Sequence, residues 1–324
     1  MSSPDSMDTR ESEREARRLG VRSITARLRP PRVLRLLLTN HLSLTGIVVL
    51  LAFAVVAVSA PYLAPPEHPE TPYRIPRDGF KAVPQPPSRE HIFGTTQGQY
   101  DVFYGVVWGT RTAFKVGLIV TGSTVLIGLL VGGVAGYYGG WVDEVLMRIT
   151  EVFMAFPFLL AAITLAAVIK TKYPHLEGIA VAMVALIAFA WMFYARLIRG
   201  GILATKQTDY VLAARTIGAG DLRIMLRHIL PNSFYPLLVV ASLDIGSIVL
   251  TFAALSFLGL GVEDGYADWG QLIALSRNWI PTLSSVWYIL VFPGGAILLF
   301  VLAWNLVGDA LRDVLDPRLT NQGF

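Results

Sequence analysis

Six long apolar stretches constrain this 324-residue chain more than any other feature of its sequence. A bilayer core about 30 Å thick needs roughly 20 apolar residues in helical form to cross it. On that criterion we predict spans over residues 44–63, 114–137, 152–169, 178–195, 235–260 and 287–307. A single such stretch is compatible with a buried helix of a soluble core, but six in one chain are not. The predicted fold class is therefore all-α, an integral membrane bundle of six transmembrane helices.

The composition excludes several classes of protein. Only 15% of the residues are charged and 54% are hydrophobic, whereas soluble domains carry roughly a quarter of their residues as charges. These values exclude an ordinary soluble enzyme, a disordered chain and a nucleic-acid-binding module. The chain has no cysteine, which excludes a disulfide framework, a thiolate metal site and a cysteine nucleophile.

The positive charges predict the orientation of the chain. Of the 27 Lys and Arg residues, 18 lie before the first span, at the start of the third, between the fourth and fifth, or after the sixth. The remaining nine lie on the opposite side. Because cytoplasmic segments carry an excess of Lys and Arg, both termini are predicted to be cytoplasmic.

The segments outside the spans differ in character. Residues 1–25 are polar and charged, which predicts a disordered cytoplasmic tail. Residues 26–43 form a basic juxtamembrane segment, which we interpret as a lipid anchor in preference to a partner contact. Residues 64–110 are rich in proline and predict an irregular external segment, followed by a core over 111–310 and a cytoplasmic tail over 311–324. Residues 269–275 predict a short helix that dips back toward the pore.

The cytoplasmic loop over 206–232 is more than a connector. Val211, Ala214 and Ile217 form an apolar stripe at helical spacing, and Gly218-Ala219-Gly220 then breaks the helix. A second short helix is predicted to begin with Asp221 as its N-cap and to carry Leu222, Met225, Leu226 and Ile229. Pro231 suits the first turn of the next helix. Small side chains at Ala213, Ala214 and Gly218 favour the close approach of another protein, but the residues alone leave an amphipathic surface connector equally open.

This loop resembles the EAA loop of ABC importer permeases, with the pattern E-A-A-x-x-x-G, nine residues, then I-x-L-P. Ala213, Ala214, Gly218, Leu230 and Pro231 match the pattern, whereas Leu212 replaces its Glu and His228 replaces its Ile. The resemblance implies that these seven positions belong to a coupling helix that sits in a cleft of an ATPase subunit. The missing Glu removes one polar contact from that docking.

Four further stretches narrow the resemblance to the C-type permease subunit of dipeptide and oligopeptide importers. They are Phe93–Arg111, Gly139–Arg148, Leu255–Val262 and Asn305–Leu319, and the likeness covers about residues 34–319. It implies a type I ABC importer permease fold, a location in a prokaryotic cell membrane and half of a pore for di- or oligopeptides. The group also contains nickel, glutathione, haem and sugar permeases. The chain departs from many relatives at Thr96, Gln99 and Tyr100, and at Phe252, where many have Glu.

The resemblance also implies partners. They are a homologous second permease, two ATP-binding subunits and an external substrate-binding lipoprotein, together with membrane lipid and no nucleic acid. The chain has no G-x-x-x-x-G-K-[ST] phosphate loop. We therefore expect no catalytic residues, no cofactor and no metal in this chain, with ATP and Mg bound by the partner subunits.

One polar stripe lies within a predicted span. Asp244, Ser247 and Thr251 fall on one face of the fifth helix, and an acidic residue inside a span usually faces the bundle interior or a watery cavity. We interpret the three as candidate pore-lining residues for the positive end of a peptide. An interhelical hydrogen-bond network without cargo contact remains open.

Other charged residues and other classes of protein receive weaker support. Arg148 and Glu151 are predicted to form a local ion pair, and Asp143 and Glu144 to cap the third helix. An ion-coupled secondary transporter would need more intramembrane charge than Asp244 and an internal repeat. An intramembrane enzyme would need a His, Asp and Ser constellation inside the spans, and none is present.

Overall fold

Helices make up almost all the regular structure in the computed structural model, which describes residues 41–81 and 83–315. Within those residues, β pairing is limited to isolated bridges. The longer helices are α1 (His41–Leu63), α2 (Val102–Tyr138), α3 (Gly140–Met154), α4 (Phe158–Lys172), α5 (Gly178–Lys206), α8 (Leu230–Phe257) and α11 (Tyr288–Leu315). Between them lie α6 (Asp209–Thr216), α7 (Asp221–Ile224), a π-helical turn (Met225–Ile229), α9 (Trp269–Ser276), a 3₁₀ helix (Arg277–Thr282) and α10 (Leu283–Val286). The all-α prediction is confirmed.

Five helices among the described residues are long and apolar enough to cross a membrane, and a bent pair brings the number to six. The bent pair is α3 with α4, whose axes differ by 84°. The prediction of one continuous span over 152–169 is therefore wrong, because the helix breaks between Met154 and Phe158. Pro157 explains the break, since proline has no N–H to donate and disfavours helical geometry in the residue before it.

The second span begins earlier than the apolar run. Helix α2 starts at Val102, so residues 102–110, assigned to the irregular external segment from sequence, are helical. Asp101 caps the helix, because its Oδ1 accepts a hydrogen bond from the Tyr104 N–H at 2.7 Å. At 37 residues, α2 is much longer than a bilayer requires. Its first turns precede the apolar run that begins at residue 114 and bind the segment that follows α1.

Helices α2 and α5 pack closely because glycines line their interface. Gly128, Gly132 and Gly136 recur every fourth residue on one face of α2. A Cβ atom at Gly132 would overlap the carbonyl oxygen of Ala195 on α5, and one at Gly136 would lie 3.1 Å from the carbonyl oxygen of Arg199. Small residues are the usual means of close helix packing in a membrane, where no hydrophobic force drives helices together. The packing of α2 against α5 is the most extensive helix contact in the described part of the bundle.

Helix α1 lies at the periphery of the bundle. It packs against α11 and α2, and Gly46 allows the approach to α11, since a Cβ there would lie 2.7 Å from the Leu306 Cβ. Most of its side chains remain uncovered by the rest of the chain. The predicted tail over 1–25 lies outside the described residues, as do residues 26–40 of the juxtamembrane segment and 316–324 of the C-terminal tail.

The two ends of the bundle carry different structures. One end, here called the proline-rich end, holds residues 64–101 together with α9. It is fixed to α2 by Trp108 Nε1 donating to the Ala64 carbonyl at 2.8 Å, by Thr112 Oγ1 donating to the Ala267 carbonyl at 2.8 Å, and by Trp269 Nε1 donating to the Val106 carbonyl at 3.0 Å. The opposite end, here called the loop end, holds α6, α7 and the π-helical turn. The short helix predicted over 269–275 is present as α9.

Candidate functional site: the coupling loop and the polar face of α8

The loop end contains two helices joined by a glycine turn. Helix α6 ends at Thr216, and Gly218 adopts a φ of 80°, a left-handed conformation that favours glycine. Helix α7 then begins at Asp221, and its N-cap is Gly220. The prediction of Asp221 as the N-cap is therefore wrong by one residue. Helix α7, the π-helical turn and α8 run on as one continuous helical stretch from Asp221 to Phe257. Movement of α7 would therefore be passed directly into a membrane span.

The π-helical turn lies just before Pro231. Pro231 lies in the first turn of α8, as predicted. Helix α8 does not begin after a loop, however, but continues directly from the π-helical turn. Pro231 has no N–H to donate to the carbonyl four residues earlier, and the Leu230 N–H instead bonds to the carbonyl of Met225, five residues back. Such bulges accommodate a residue that interrupts the regular ladder and are frequent at functional sites.

The loop has an inner face that packs against the bundle. Val211, Ile224 and Ile229 are fully buried, and Ala214 is nearly so. They pack with Tyr137 of α2 and with side chains of α5 and α8. Ala214 was predicted as one of the small residues open to a partner; that prediction is wrong, because its side chain faces the bundle.

The outer face of the loop is apolar and uncovered. Ile217 is 83% exposed and Leu222 is 72% exposed. Ile217 therefore faces away from the bundle, although it shares an apolar stripe in the sequence with the buried Val211 and Ala214. The other exposed apolar side chains of the segment are Tyr210, Leu212 and Leu226. Ala213 and Gly218 are also exposed, as the sequence predicted. His228 and Leu230 are half-buried and Pro231 is exposed.

Polar contacts anchor the loop to α2. The Tyr137 hydroxyl, near the end of α2, donates to Asp221 Oδ1 at 2.5 Å. Lys206, the last residue of α5, donates to the Tyr137 carbonyl oxygen and lies 5.5 Å from the centre of its ring. Tyr137 thus joins the ends of α2 and α5 to the first residue of α7.

A second polar contact ties α3 to α5. Arg199 binds Asp143 through two hydrogen bonds, Nε to Oδ1 at 2.5 Å and Nη2 to Oδ2 at 2.6 Å. Bidentate pairs of this kind fix orientation as well as distance. Asp143 was predicted to cap α3; it does lie in the first turn, but its carboxylate is used by Arg199. The predicted ion pair of Arg148 and Glu151 is present at 3.2 Å on the exposed side of α3.

The polar face of α8 contains an interhelical hydrogen bond. The hydroxyl of Tyr194, a fully buried residue of α5, donates to Asp244 Oδ2 at 2.7 Å. Ser247 is exposed, and Thr251 Oγ1 donates back to the Ser247 carbonyl at 2.8 Å. Within residues 41–81 and 83–315, neither the second carboxylate oxygen of Asp244 nor the Ser247 hydroxyl has a hydrogen-bond partner. Phe252, at the position where many relatives have Glu, is buried in the core with Val116 and Leu186.

A polar cavity at the proline-rich end was not foreseen from the sequence. It has a volume of about 540 Å³ and brings together Glu70, Glu177, Glu263 and Asp264 with Arg74 and Lys115. These residues come from four separate segments of the chain, so no local pattern could have grouped them.

Asp268, which follows the cavity residue Asp264 closely in the sequence, carries a buried carboxyl group. Asp268 caps α9 by accepting the Gln271 N–H at 3.0 Å. Burial raises the pKa of Asp268 to about 6, although the hydrogen bonds it accepts oppose that shift. Among the described residues, no group of three or more His, Cys, Asp or Glu side chains could hold a metal ion.

The chain resembles known transport proteins. Residues 126–321 match the family described as binding-protein-dependent transport system inner membrane component. The dipeptide transport system permease protein DppC of Alkalihalophilus pseudofirmus is 36% identical over 280 residues, covering 86% of this chain and 87% of the relative. The probable D,D-dipeptide transport system permease protein DdpC of Escherichia coli is 42% identical over 233 residues, covering 72% of this chain and 75% of the relative. The glutathione transport system permease protein GsiD of Pectobacterium atrosepticum is 40% identical over 233 residues, covering 72% of this chain and 74% of the relative.

A solved structure agrees with the fold. A chain of the MetNI methionine ABC transporter aligns with a TM-score of 0.50 at 21% identity, covering 66% of this chain and 97% of that chain. With the family match over more than half of the sequence, these findings give the conclusion: this chain belongs to the family of binding-protein-dependent transport system inner-membrane components, the membrane-spanning permeases of ABC importers.

Proposed function

We propose that this chain forms one half of the translocation pore of an ATP-driven peptide importer in a prokaryotic cell membrane, with both termini in the cytoplasm. The observation that carries the proposal is the loop end: an uncovered apolar surface on α6 and α7 that is continuous with a membrane span. The loop end would be cytoplasmic, in agreement with the excess of Lys and Arg on that side of the chain.

The loop would act as the contact with the ATPase. Exposed apolar side chains such as Ile217, Leu222 and Leu226 are the kind that anchor protein interfaces. The chain has no phosphate-binding loop of its own. Two ATP-binding subunits would therefore bind ATP and Mg, and this chain would supply only the surface on which they act.

Coupling would pass from the loop to the spans by two routes. Helix α7 leads through the π-helical turn into α8, which carries Asp244. The hydrogen bond from Tyr137 to Asp221 gives a second route into α2. Because α2 and α5 pack closely through the glycine face of α2, they would move together. ATP binding shifts the transporter between its states only by the difference in its affinity for them.

The cargo we propose is a short peptide. Relatives named as dipeptide and D,D-dipeptide permeases match most of the chain, and a glutathione permease matches it at 40% identity over 72% of its length. Glutathione, itself a modified tripeptide, is the second candidate cargo. The partly uncovered face of Asp244, Ser247 and Thr251 would line the pore, with the free oxygen of Asp244 available to a positive group of the cargo.

The test is purification of the tagged chain from its native membrane in mild detergent, followed by reconstitution. We expect two ATPases, a homologous permease and a substrate-binding lipoprotein to co-purify. The reconstituted assembly should import a labelled dipeptide only with ATP, and excess glutathione should compete only if it is also cargo. A folded chain recovered without any ATPase would contradict the proposal.

A second experiment isolates the role of Asp244. In Asp244→Asn the Tyr194 hydroxyl keeps an acceptor, but the negative charge is lost. If Asp244 meets the cargo, this variant should assemble normally and import peptides with a free amino terminus more slowly than N-acetylated ones. Equal import of both kinds by the variant and the unaltered protein would leave Asp244 with an interhelical role only.

A further inference from the structure

A groove between α1 and α2 carries two cations that the proposed transport cycle does not use. The groove has a volume of about 460 Å³. Its walls are Ala54, Ala57 and Val58 of α1, and Phe114 and Leu118 of α2. Arg111 and Lys115, one helical turn apart on α2, complete the lining together with Tyr73.

The depth of these cations in the membrane follows from the packing of α1. Trp108 Nε1 bonds to the carbonyl of Ala64, the residue directly after α1, so Trp108 marks the level at which α1 ends. With a rise of 1.5 Å per residue, Arg111 lies about 4.5 Å and Lys115 about 10 Å further along α2 toward the bilayer centre. With the end of α1 taken as the membrane surface, these depths correspond to the headgroup region and its boundary with the acyl chains.

Neither cation has a counter-ion in the described part of the chain. No carboxylate oxygen of the described residues lies within 4 Å of Arg111 or Lys115, although Lys115 also lines the polar cavity that contains four acidic side chains. Their recorded contacts are with aromatic rings: Arg111 lies 5.0 Å from the centre of Trp108, and Lys115 lies 5.9 Å from that of Tyr73. An uncompensated charge at this depth is costly unless an anion pairs with it.

From the level of Lys115 toward the bilayer centre, the groove region carries exposed apolar side chains. Val58 is 78% exposed and Leu118 is 52% exposed. Val55, a further residue of α1, is 64% exposed. The cations at the membrane surface and the apolar strip beneath them match the two parts of one ligand, a phosphate group and the acyl chain attached to it.

We propose that this groove binds one anionic phospholipid, with the phosphate between Arg111 and Lys115 and an acyl chain along Val58 and Leu118. The bound lipid would neutralise both cations. It would also fill the groove between α2 and the peripheral helix α1.

The test is native mass spectrometry of the full-length protein purified with phosphatidylglycerol or with phosphatidylcholine. The unaltered chain should retain one phosphatidylglycerol in preference to phosphatidylcholine. Each cation near a membrane contributes about 1 kcal/mol, or about fivefold in affinity. The double variant Arg111→Gln/Lys115→Gln should therefore lose retention by roughly 25-fold, and Arg111→Lys should keep most of it.

Two controls define the site. The double variant Lys170→Gln/Lys172→Gln removes two cations near the end of α4, away from the groove, and should retain the lipid fully. Inorganic phosphate at millimolar concentration should not displace phosphatidylglycerol, because it lacks the acyl chain. Equal retention by the Arg111/Lys115 variant and the unaltered chain, or displacement by phosphate, would overturn the proposal.

A second permease subunit is the competing occupant. Because the chain has no cysteine, Val58→Cys introduces a single thiol at the groove for cross-linking in the assembled transporter. We expect this thiol to react with a maleimide-bearing phospholipid. A cross-link to the second permease in its place would overturn the lipid assignment.

Discussion

The two ends of the bundle differ in the contacts that their aromatic, hydroxyl and apolar side chains make within the chain. At the proline-rich end, buried aromatic and hydroxyl groups find partners within the chain: Trp108 bonds to Ala64, Trp269 to Val106 and Thr112 to Ala267. At the loop end, Ile217 and Leu222 are left uncovered. Large exposed apolar patches on an otherwise folded surface mark interaction sites. Exposed apolar residues also occur at the proline-rich end, such as Phe80 at 85% and Ile92 at 56%, so exposure alone does not separate the two ends. They differ in that the proline-rich end is tied to α2 by hydrogen bonds within the chain, whereas the loop end carries its exposed apolar side chains on short helices that are continuous with a membrane span.

The largest effect should come from breaking the internal support of the proline-rich end. Trp269 is 1% exposed, and its ring packs against Phe53 and Phe300. Trp269→Ala should lower the free energy of unfolding by about 3–5 kcal/mol, the usual cost of deleting a buried tryptophan. Thermal unfolding in detergent measures the loss. Trp141→Ala, which alters a side chain that is 75% exposed, is the matched control and should change stability by no more than about 0.5 kcal/mol.

The second effect belongs to the loop end and should leave stability untouched. Ile217→Asp places a charge on the proposed ATPase contact, where an anchor residue contributes about 2 kcal/mol or more. Binding of the ATPase, measured by titration, should weaken by at least about 30-fold while the melting temperature stays constant. Ile92→Asp, on an exposed apolar residue of the proline-rich end, should not change ATPase binding. Equal weakening by both variants would remove the distinction between the ends.

A smaller effect should separate assembly from coupling. Tyr137→Phe removes only the hydroxyl that bonds to Asp221, and a hydrogen bond of this kind contributes about 1 kcal/mol. The variant should assemble with its ATPases, but peptide should stimulate their ATP hydrolysis less than in the unaltered transporter. Tyr138→Phe alters a neighbouring residue that is 66% exposed and should behave as the unaltered chain. Normal stimulation in Tyr137→Phe would show that α2 takes no part in coupling.

The smallest effect concerns pH at the proline-rich end. Partial burial acts to lower the pKa of His91, but its hydrogen bonds with Asp101 and Asp78 outweigh burial, so the pKa lies above its ordinary value. The bond to Asp101, at 2.8 Å, connects His91 to the cap of α2. A raised pKa means that His91 stabilises the fold fully below about pH 6.5, its unfolded value, and that this contribution is lost as pH rises through the folded value.

The measurement for His91 is a comparison of melting temperatures between the unaltered chain and His91→Gln over pH 5 to 9. The unaltered chain should be more stable at pH 5, and the difference should shrink as the pH increases. A difference that grows with pH would contradict the assigned direction of the shift.

The sequence was informative where one local pattern determines the structure. The apolar runs predicted five of the six spans, and the glycines around Gly218 predicted the turn between α6 and α7. The run over 152–169 failed because hydropathy does not register the backbone restriction at Pro157. The apolar stripe of Val211 and Ala214 does not extend to Ile217 in the structure, because the helix ends at Thr216.

Contacts between residues far apart in the chain could not be predicted from the sequence. Nothing local indicates that Asp143 would pair with Arg199, 56 residues away, or that Tyr137 would bond to Asp221, 84 residues away. The acidic cavity is of the same kind, and so is the choice of α5 as the helix that packs on the glycine face of α2. A repeat of glycines every fourth residue on α2 was a readable signal for close helix packing in a membrane.

The most direct test of the central claim is site-specific cross-linking in the assembled transporter, because the chain contains no cysteine of its own. A single cysteine replaces either Ile217 at the loop end or Ile92 at the proline-rich end, and each is treated with a photoreactive thiol reagent. We predict that the Ile217 position cross-links to an ATPase and the Ile92 position does not, with the Ile217 yield changing when ATP is added. A cross-link to an ATPase from Ile92, or none from Ile217 in an intact transporter, would contradict it.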